Sequence, residues 1–297
     1  MVSPSAKRQA AAHVQSERGV SQRRASRVVG VGRSTVRYEA RPRPGEAELT
    51  GRIRRLTSRH QRYGYRRITA LLHREGSTVN TKRVHRIWKR ESLQISRRKP
   101  RKRRRGPKGE VLKRATHPNH VWSYDFMEDR TENGSRLRIL TVLDEYTRES
   151  LAIRVGRSLP AAAVIETLEW LLLTRGVPEH IRSDNGPEFI AQAVEAWLHA
   201  HGCESIFITP GSPWENPFIE SFNGSFRDEC LNMEMFTSVS EAQEIADYWR
   251  IDYNTLRPHS SLDGRTPSEF AAHVASALRP TGFAHLQHQE NHVSTLS

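Results

Sequence analysis

Cysteine is scarce: the 297 residues include two, Cys203 and Cys230, without CxxC spacing. That argues against a disulfide framework and a zinc ribbon, makes a reduced cytoplasmic setting the default, and leaves Cys203 in "CESIFI" as a small buried residue. Long apolar runs are missing too. None approaches the ~18 residues of a membrane span, and the N-terminal "SPSAKRQAAA" lacks an apolar signal core, so no membrane partner is expected. Acid is scarce in one region. Residues 1–114 hold 7 Asp and Glu against 34 Lys and Arg, a net +27, while residues 115–297 hold 26 against 13, a net −13. A chain of this length has room for two domains, or for one with appendages. The split describes a polyanion-binding portion tethered to one that needs carboxylates.

Residues 1–42 read as a helix-turn-helix-like segment. In "SQRRASRVVGVGRSTVRYEA", Ser21 can cap a helix to Val29, Gly30 with Gly32 breaks it, and Ser34 can cap a second helix through Glu39. Ala25, Val29, Val31 and Val36 have the required spacing and leave Arg33 and Arg37 facing outward, although an ordinary charged helical hairpin fits the same loose pattern. Residues 45–96 repeat the theme. "YRRITALLHREG" puts Ile68, Leu71 and Leu72 on one face and ends at Gly76, while "NTKRVHRIWKRE" turns Val84, Ile87 and Trp88 inward. Lys82, Arg83, Arg86, Lys89 and Arg90 share the other side, where like charges repel unless phosphates relieve them. This is expected to be a DNA-binding helix. "RRKPRKRRR", eight basic residues in nine, marks a linker over 97–116 that can also grip phosphates.

The acidic part, residues 117–272, alternates. "VWSYDFM", "RLRILTVLDEY" and "ESLAIRV" predict a three-strand antiparallel meander. "LPAAAVIETLEWLLLTRG", "EFIAQAVEAWLHAHG" and "PFIESFNGSFRDEC" predict helices, and "EHIRS" and "CESIFIT" strands between them. The order β-β-β-α-β-α-β-α belongs to an α/β layer fold with a mixed sheet. Ser238 with Glu241, and Thr266 with Pro267 and Glu269, open two more helices. Between them Arg257 and His259 of "YNTLRPHSSL" belong either to a packed turn or to a DNA contact. Residues 273–297 read as a flexible tail whose His285, His288 and His292 are not taken as metal ligands.

Three acids stand out. Asp125 lies in the first strand among Trp122, Tyr124 and Phe126, where an unpaired charge is costly. Asp184 ends the fourth strand in "RSDNGPEF", and Glu220 lies in the helix after the fifth. Strand-edge charge, turn former and helix-surface Glu are the ordinary readings. Together, beside a nucleic-acid-binding half, the acids suit hard divalent cations: Mg²⁺ takes one or two carboxylates plus substrate phosphate. Two such ions, ~3.5–4 Å apart, serve both oxygens of an in-line phosphoryl displacement.

"WSYDFM", "LTVLDEYTRES", "RSDNGPEF", "PWENPFIESFNGSFRDECLN" and "YNTLRPHSSLDGRTPSEF" resemble the second-frame proteins of bacterial IS3-family insertion sequences, over about residues 45–272. Asp125, Asp184 and Glu220 look like the DDE triad of the retroviral-integrase superfamily. The resemblance implies an RNase H-like core with a mixed five-stranded sheet and flanking helices, preceded by all-α helix-turn-helix modules. It implies a transposase that cleaves and joins DNA strands with two Mg²⁺ or Mn²⁺ ions held by those three acids. It also implies that a polar face near Asn223 and Arg227 touches DNA. Element ends and target DNA would be the partners, with an oligomer of the chain on DNA, an upstream-frame protein in families that fuse one, and a place on the bacterial nucleoid. The competing readings are a DNA-binding regulator with an idle core and a hybrid nuclease. An unbroken triad weighs against the first, and two basic modules against the second.

Overall fold

A computed structural model describes residues 3–38, 44–95, 113–184, 188–208 and 215–278, with the side chains of 188–191 left aside. The linker expected over 97–116 lies outside the described residues except at 113–116, as do Asn185 and Gly186 and the histidines at 285, 288 and 292. The chain divides into two units, residues 1–52 and 53–297.

In the first unit, helix α1 (Pro4–Arg18) is capped by Ser3 and ends at Gly19, and α2 (Gln22–Val29) is capped by Ser21 and ends at Gly30. α1 is longer than the short helices expected. Its Ala-rich stretch propagates well, but Ala11 is the one residue it buries, so no apolar stripe advertises it. Helix α3 (Arg33–Arg37) is shorter than expected, because Gly32 rather than Ser34 takes the cap position and Tyr38 is already extended. Fully buried Ala11 and Ala25 are its core.

Helix α4 (Glu46–Arg59) runs across the division between the units. In the second unit, α5 (Tyr65–Arg74) buries Ile68, Leu71 and Leu72, and α6 (Thr81–Arg90), capped by Asn80, buries Val84, Ile87 and Trp88. These are the apolar faces read from the sequence.

Strands β1 (Val121–Arg130), β2 (Arg136–Asp144) and β3 (Ser150–Gly156) form the antiparallel meander. β4 (His180–Ser183) joins β1 in parallel, and β5 (Glu204–Phe207) joins β4 in parallel. The sheet order is β3-β2-β1-β4-β5. Helix α7 (Ala161–Arg175) and helix α8 (Glu188–Ala200) cover one face, where Leu168, Leu171, Val194 and Leu198 meet Trp122, Leu140, Val142 and Ile181. Helix α9 (Pro217–Phe226) and helix α10 (Val239–Thr255) cover the other, where Phe222, Phe226, Ala242 and Ala246 meet Leu137, Ile139, Leu143 and Ile153.

Edge strand β3 would offer free backbone groups to another chain. α10 occupies them. Gln243 accepts from Val155 N–H at 2.7 Å and donates to the Ile153 carbonyl at 2.9 Å, and Asn254 does the same for Ser150 at 2.9 Å each way. The helix expected through Cys230 continues past α9 as a π-helical turn, Arg227–Leu231, which swings Asp228 and Glu229 toward α5. Helix α11 (Pro267–Leu278) opens on a capping box, with Thr266 N–H donating to Glu269 at 2.8 Å and Glu269 N–H to Thr266 Oγ1 at 3.2 Å. It extends over residues 273–278, which the sequence reading had given to the tail, because nothing in "HVASAL" breaks a helix.

Candidate active site

Asp125 lies midway along β1, the central strand, opposite Thr141 of β2. Its Oδ1 accepts the Phe126 N–H and its Oδ2 accepts Asn223 Nδ2, each at 2.7 Å. The Thr141 hydroxyl closes the clamp, sharing its proton between Asn223 Oδ1 at 2.9 Å and the Asp125 carbonyl at 3.2 Å. The parallel ladder sets Ser123 opposite Arg182, so Asp184, just past β4, comes level with Asp125 two residues later. Glu220, on α9, precedes Asn223 by three residues and shares its face.

The electrostatics register this convergence. Burial pushes Asp125 up to about 6; the charges of Asp184 and Glu220 push the same way, against the hydrogen bonds from Phe126 and Asn223. Glu220 is exposed, yet partial burial of its carboxyl raises it as well. Burial raises Tyr124, whose hydroxyl bonds Ser183 and lies within the field of Asp184. Among the described residues no Lys or Arg pairs with any of the three acids. An all-oxygen, uncompensated set of this kind fits hard divalent cations.

Beneath it lies an ion pair that the sequence did not announce. Arg182 Nε donates to Glu145 Oε1 at 2.8 Å with both side chains fully buried, and Ser123 Oγ donates to the same oxygen at 2.7 Å. Ser123 and Arg182 each precede a site aspartate by two residues and so share its face of the sheet. The pair locks β4 against β1 where the acids must align. Its only trace in the sequence is an arginine in the short β4 and a glutamate in the turn that follows β2.

The remaining site residues fall differently. Asn223, expected on a DNA-facing surface, is buried with both ends of its amide taken, and what it holds is Asp125. Arg227 donates to the Glu128 carbonyl at 2.8 Å and lies 4.0 Å from Asp129, with its side chain 39% exposed. Arg257 and His259 form a packed turn: Arg257 makes a bidentate pair with Glu229 at 2.8 Å, and burial beside Arg257 pushes His259 down to about 3. Arg33 and Arg37 are exposed on α3, where Arg37 bonds Gln22 at 2.9 Å. Lys82, Arg86 and Lys89 are exposed on α6, with Arg83 half-buried beside them.

A second cluster gathers at the far end of β4, where ligand atoms of His120, Glu179 and His180 lie within 4.8 Å of one another. His120 Nδ1 accepts the Thr116 N–H at 3.1 Å, which leaves the proton on Nε2, facing Glu179. His117 holds the other Glu179 oxygen at 2.8 Å, and the Lys113 ammonium stands 3.3 Å from His180 Nε2. With protons on the inward-facing atoms and an ammonium among them, this is a hydrogen-bonded brace rather than a cation pocket.

The Integrase core domain family matches residues 115–213 and, through a second family of the same description, 201–267; an HTH-like domain family matches 45–101. The 31.7 kDa protein of insertion element IS407 of Burkholderia multivorans is 41% identical, over 90% of this chain and 96% of its own length. The 39.2 kDa protein of insertion element IS476 of Xanthomonas euvesicatoria is also 41% identical, over 91% of this chain and 78% of its own. Transposase InsF of insertion sequence IS3A of Escherichia coli is 28% identical, over 72% and 78%. A mixed sheet carrying an integrase core, an HTH-like domain before it, and these relatives give one conclusion: the chain belongs to the insertion-sequence transposases of the integrase superfamily.

Proposed function

We propose that Asp125, Asp184 and Glu220 are the catalytic acids of a DNA strand-cleaving and strand-joining enzyme, and that they hold two Mg²⁺ or Mn²⁺ ions. The observation that carries this reading is the raised Asp125, a carboxylate that burial and two like charges oppose. Structural acids in buried settings are normally given a cationic partner, and these have none among the described residues. When bound, the ions would activate the attacking oxygen and stabilise the leaving one in an in-line displacement. The chain's own work is positional. Asn223, itself held by Thr141, fixes one carboxylate oxygen of Asp125, the Arg182–Glu145 pair fixes the level of Asp184, and α9 presents Glu220 from across the site.

Element ends and target DNA are the substrates in this reading, bound through the basic face of α6 (Lys82, Arg83, Arg86, Lys89) and through Arg33 and Arg37 of α3. The enzyme would act as an oligomer on DNA. The test is nicking of a duplex carrying the element's terminal repeat, with Mg²⁺ and with chelator, alongside a gel shift. Metal-dependent nicking at the repeat supports the reading. Repeat-specific binding with no nicking under any divalent metal would instead make the chain a regulator.

A further inference from the structure

α9 has two working flanks. One carries Glu220. The other, turned by about 100° at 3.6 residues per turn, carries Ser221 and Ser225 and walls a cavity of about 720 Å³ bounded also by α5, the β2–β3 turn and the turn after α10. Among the described residues no Asp or Glu lines this cavity, although the surrounding part of the chain is net acidic. Two of its arginines, Arg67 and Arg257, are already paired with Glu229. The other two, Arg66 and Arg148, have no acidic partner among the described residues.

Arg148 is unusual in three respects. Its φ is +64°, a left-handed conformation that a long side chain rarely adopts. Asp144 enforces it, accepting the Tyr146, Thr147 and Arg148 N–H groups at 2.8–2.9 Å. The guanidinium lies 3.6 Å from the Phe218 ring centroid, on α9. Its Nη1 is buried without a hydrogen-bond partner among the described residues. A buried guanidinium N–H left unmade is expensive, and strain held in this way points to a role outside the fold.

Gly224 supplies an independent observation. It lies inside α9 on the strip between Glu220 and the Ser221–Ser225 flank, four residues after Glu220. A Cβ there would meet nothing within 4 Å. Packing therefore gives no reason to accept the poor helix propensity of glycine, and what remains is the close approach of something else across the helix.

We propose that this cavity is a second phosphate-binding subsite, in which Arg148 and Arg66, with Ser221 and Ser225, hold a phosphodiester of a DNA strand that crosses α9 at Gly224 on its way from the Asp125–Asp184–Glu220 site. This rests on the reading that those acids act on DNA. Arginine presents a planar set of donors suited to phosphate, and serine hydroxyls at i and i+4 complete a cradle of donors.

The test uses the full chain and separates the two readings. Ser221→Cys places one accessible thiol at the cavity mouth, since burial pushes the native Cys203 and Cys230 thiols up to about 11 and about 12 and removes them from competition. It is incubated with duplex DNA carrying a disulfide-tethered phosphate at successive positions. Crosslinking confined to one or two positions near the cleavage point is expected. Arg66→Ala, at an exposed residue, should weaken that duplex about tenfold, the weight of one charge-assisted hydrogen bond. Arg148→Lys should recover more binding than Arg148→Ala at equal melting temperature. Gly224→Ala should melt higher yet join strands more slowly. Wild-type nicking with position-independent or absent crosslinking and an unaffected Arg66→Ala overturns the subsite alone. Absent nicking with localised crosslinking overturns the catalytic reading and leaves the subsite standing.

Discussion

Two charge clusters meet the same helical segment and follow opposite rules. At its start, Glu220 joins Asp125 and Asp184; burial, aided by these like charges, pushes Asp125 up to about 6. At its end, the π-helical turn delivers Glu229 to Arg257 at 2.8 Å and to Arg67 at 2.6 Å, while Asp228 takes Arg62. The second cluster pairs opposite charges, three arginines with two acids, with Glu229 and Arg257 each only 7% exposed, and it ties α5 of the HTH-like module to the catalytic core. Opposite charges buried together make architecture; a half-buried Asp125 beside the exposed like charges of Asp184 and Glu220 carries a cost that a bound cation relieves. On the proposed reading, the difference separates a structural cluster from a catalytic one.

The strongest way to break the comparison is at the unmatched cluster. Asp125→Asn, Asp184→Asn and Glu220→Gln should each lower metal-dependent nicking by about three orders of magnitude or more, several kcal/mol of transition-state stabilisation, because an amide cannot replace a charged oxygen on a hard cation. Gel-shift affinity for the same duplex should stay near wild type. Any of the three that still nicks at the wild-type rate leaves the site.

Next comes the matched cluster. Glu229→Gln should strand Arg257, whose side chain is buried, at a cost of about 3–5 kcal/mol. For a unit of this size that is a fall of roughly 10 °C in melting temperature. Glu229→Leu combined with Arg257→Met should regain much of the loss, since an apolar replacement of both partners removes the buried ion pair. A single variant as stable as wild type in calorimetry would show that solvent reaches the pair and that the contrast with the active site is overstated.

A smaller effect sharpens the contrast from the other direction. The folded value of Asp125 is about 6 against an ordinary 3.8. Above about pH 6 the group is ionised in both states, and the folded state carries the full penalty. Below about pH 4 it is neutral in both, and the penalty is gone. In chelator, Asp125→Asn should therefore melt higher than wild type at pH 7.5, with the gap closing as the pH falls from about 6 to about 4. Asn223 can reverse its amide to meet the new one. A gap that widens toward acid would mean that Asp125 is stabilised as an anion.

What could be read from the chain depended on the range of the interaction. Val84, Ile87 and Trp88 were legible because helical spacing alone turns them inward. The meander was legible because its strands follow one another directly, Asp125 because it is a charge among strand aromatics, and Asp184 because it closes a short strand at a turn-forming sequence. The spacing of Asn223 from Glu220 gave its face of α9 but not its depth, which depends on Thr141 reaching across from another strand. Arg62, Arg67, Glu229 and Arg257 come from three separate stretches, and no local period reports that they meet. "YNTLRPHSSL" stayed ambiguous for that reason. An arginine and a histidine in a loop read alike whether they face phosphate or a buried glutamate.

Arg227 belongs fully to neither cluster, and the smallest expected effect concerns it. It follows Glu220 by seven residues, about 10 Å along the axis at ~1.5 Å per residue. The surface pairing that would make it trivial is unavailable, because Asp228 and Glu229 are taken by Arg62, Arg67 and Arg257. Instead one guanidinium nitrogen bonds the Glu128 carbonyl at the end of β1, and another lies 4.0 Å from Asp129, too loose for a strong bond. The Arg227 side chain stays 39% exposed, and a spacing of two helical turns puts it close to the face of Glu220. Arg227→Ala should cost under ~1 kcal/mol of stability, as expected for a half-exposed pair. If the exposed donors hold a phosphate, the variant should also lower the slope of log affinity against log salt by about 0.9 and slow strand joining more than it weakens binding. Arg227→Lys should restore the salt slope, because the charge returns, but less of the joining rate, because the bracket to Glu128 does not. An Arg227→Ala protein with an unchanged slope and normal joining would reduce the residue to a tie between the π-helical turn and β1.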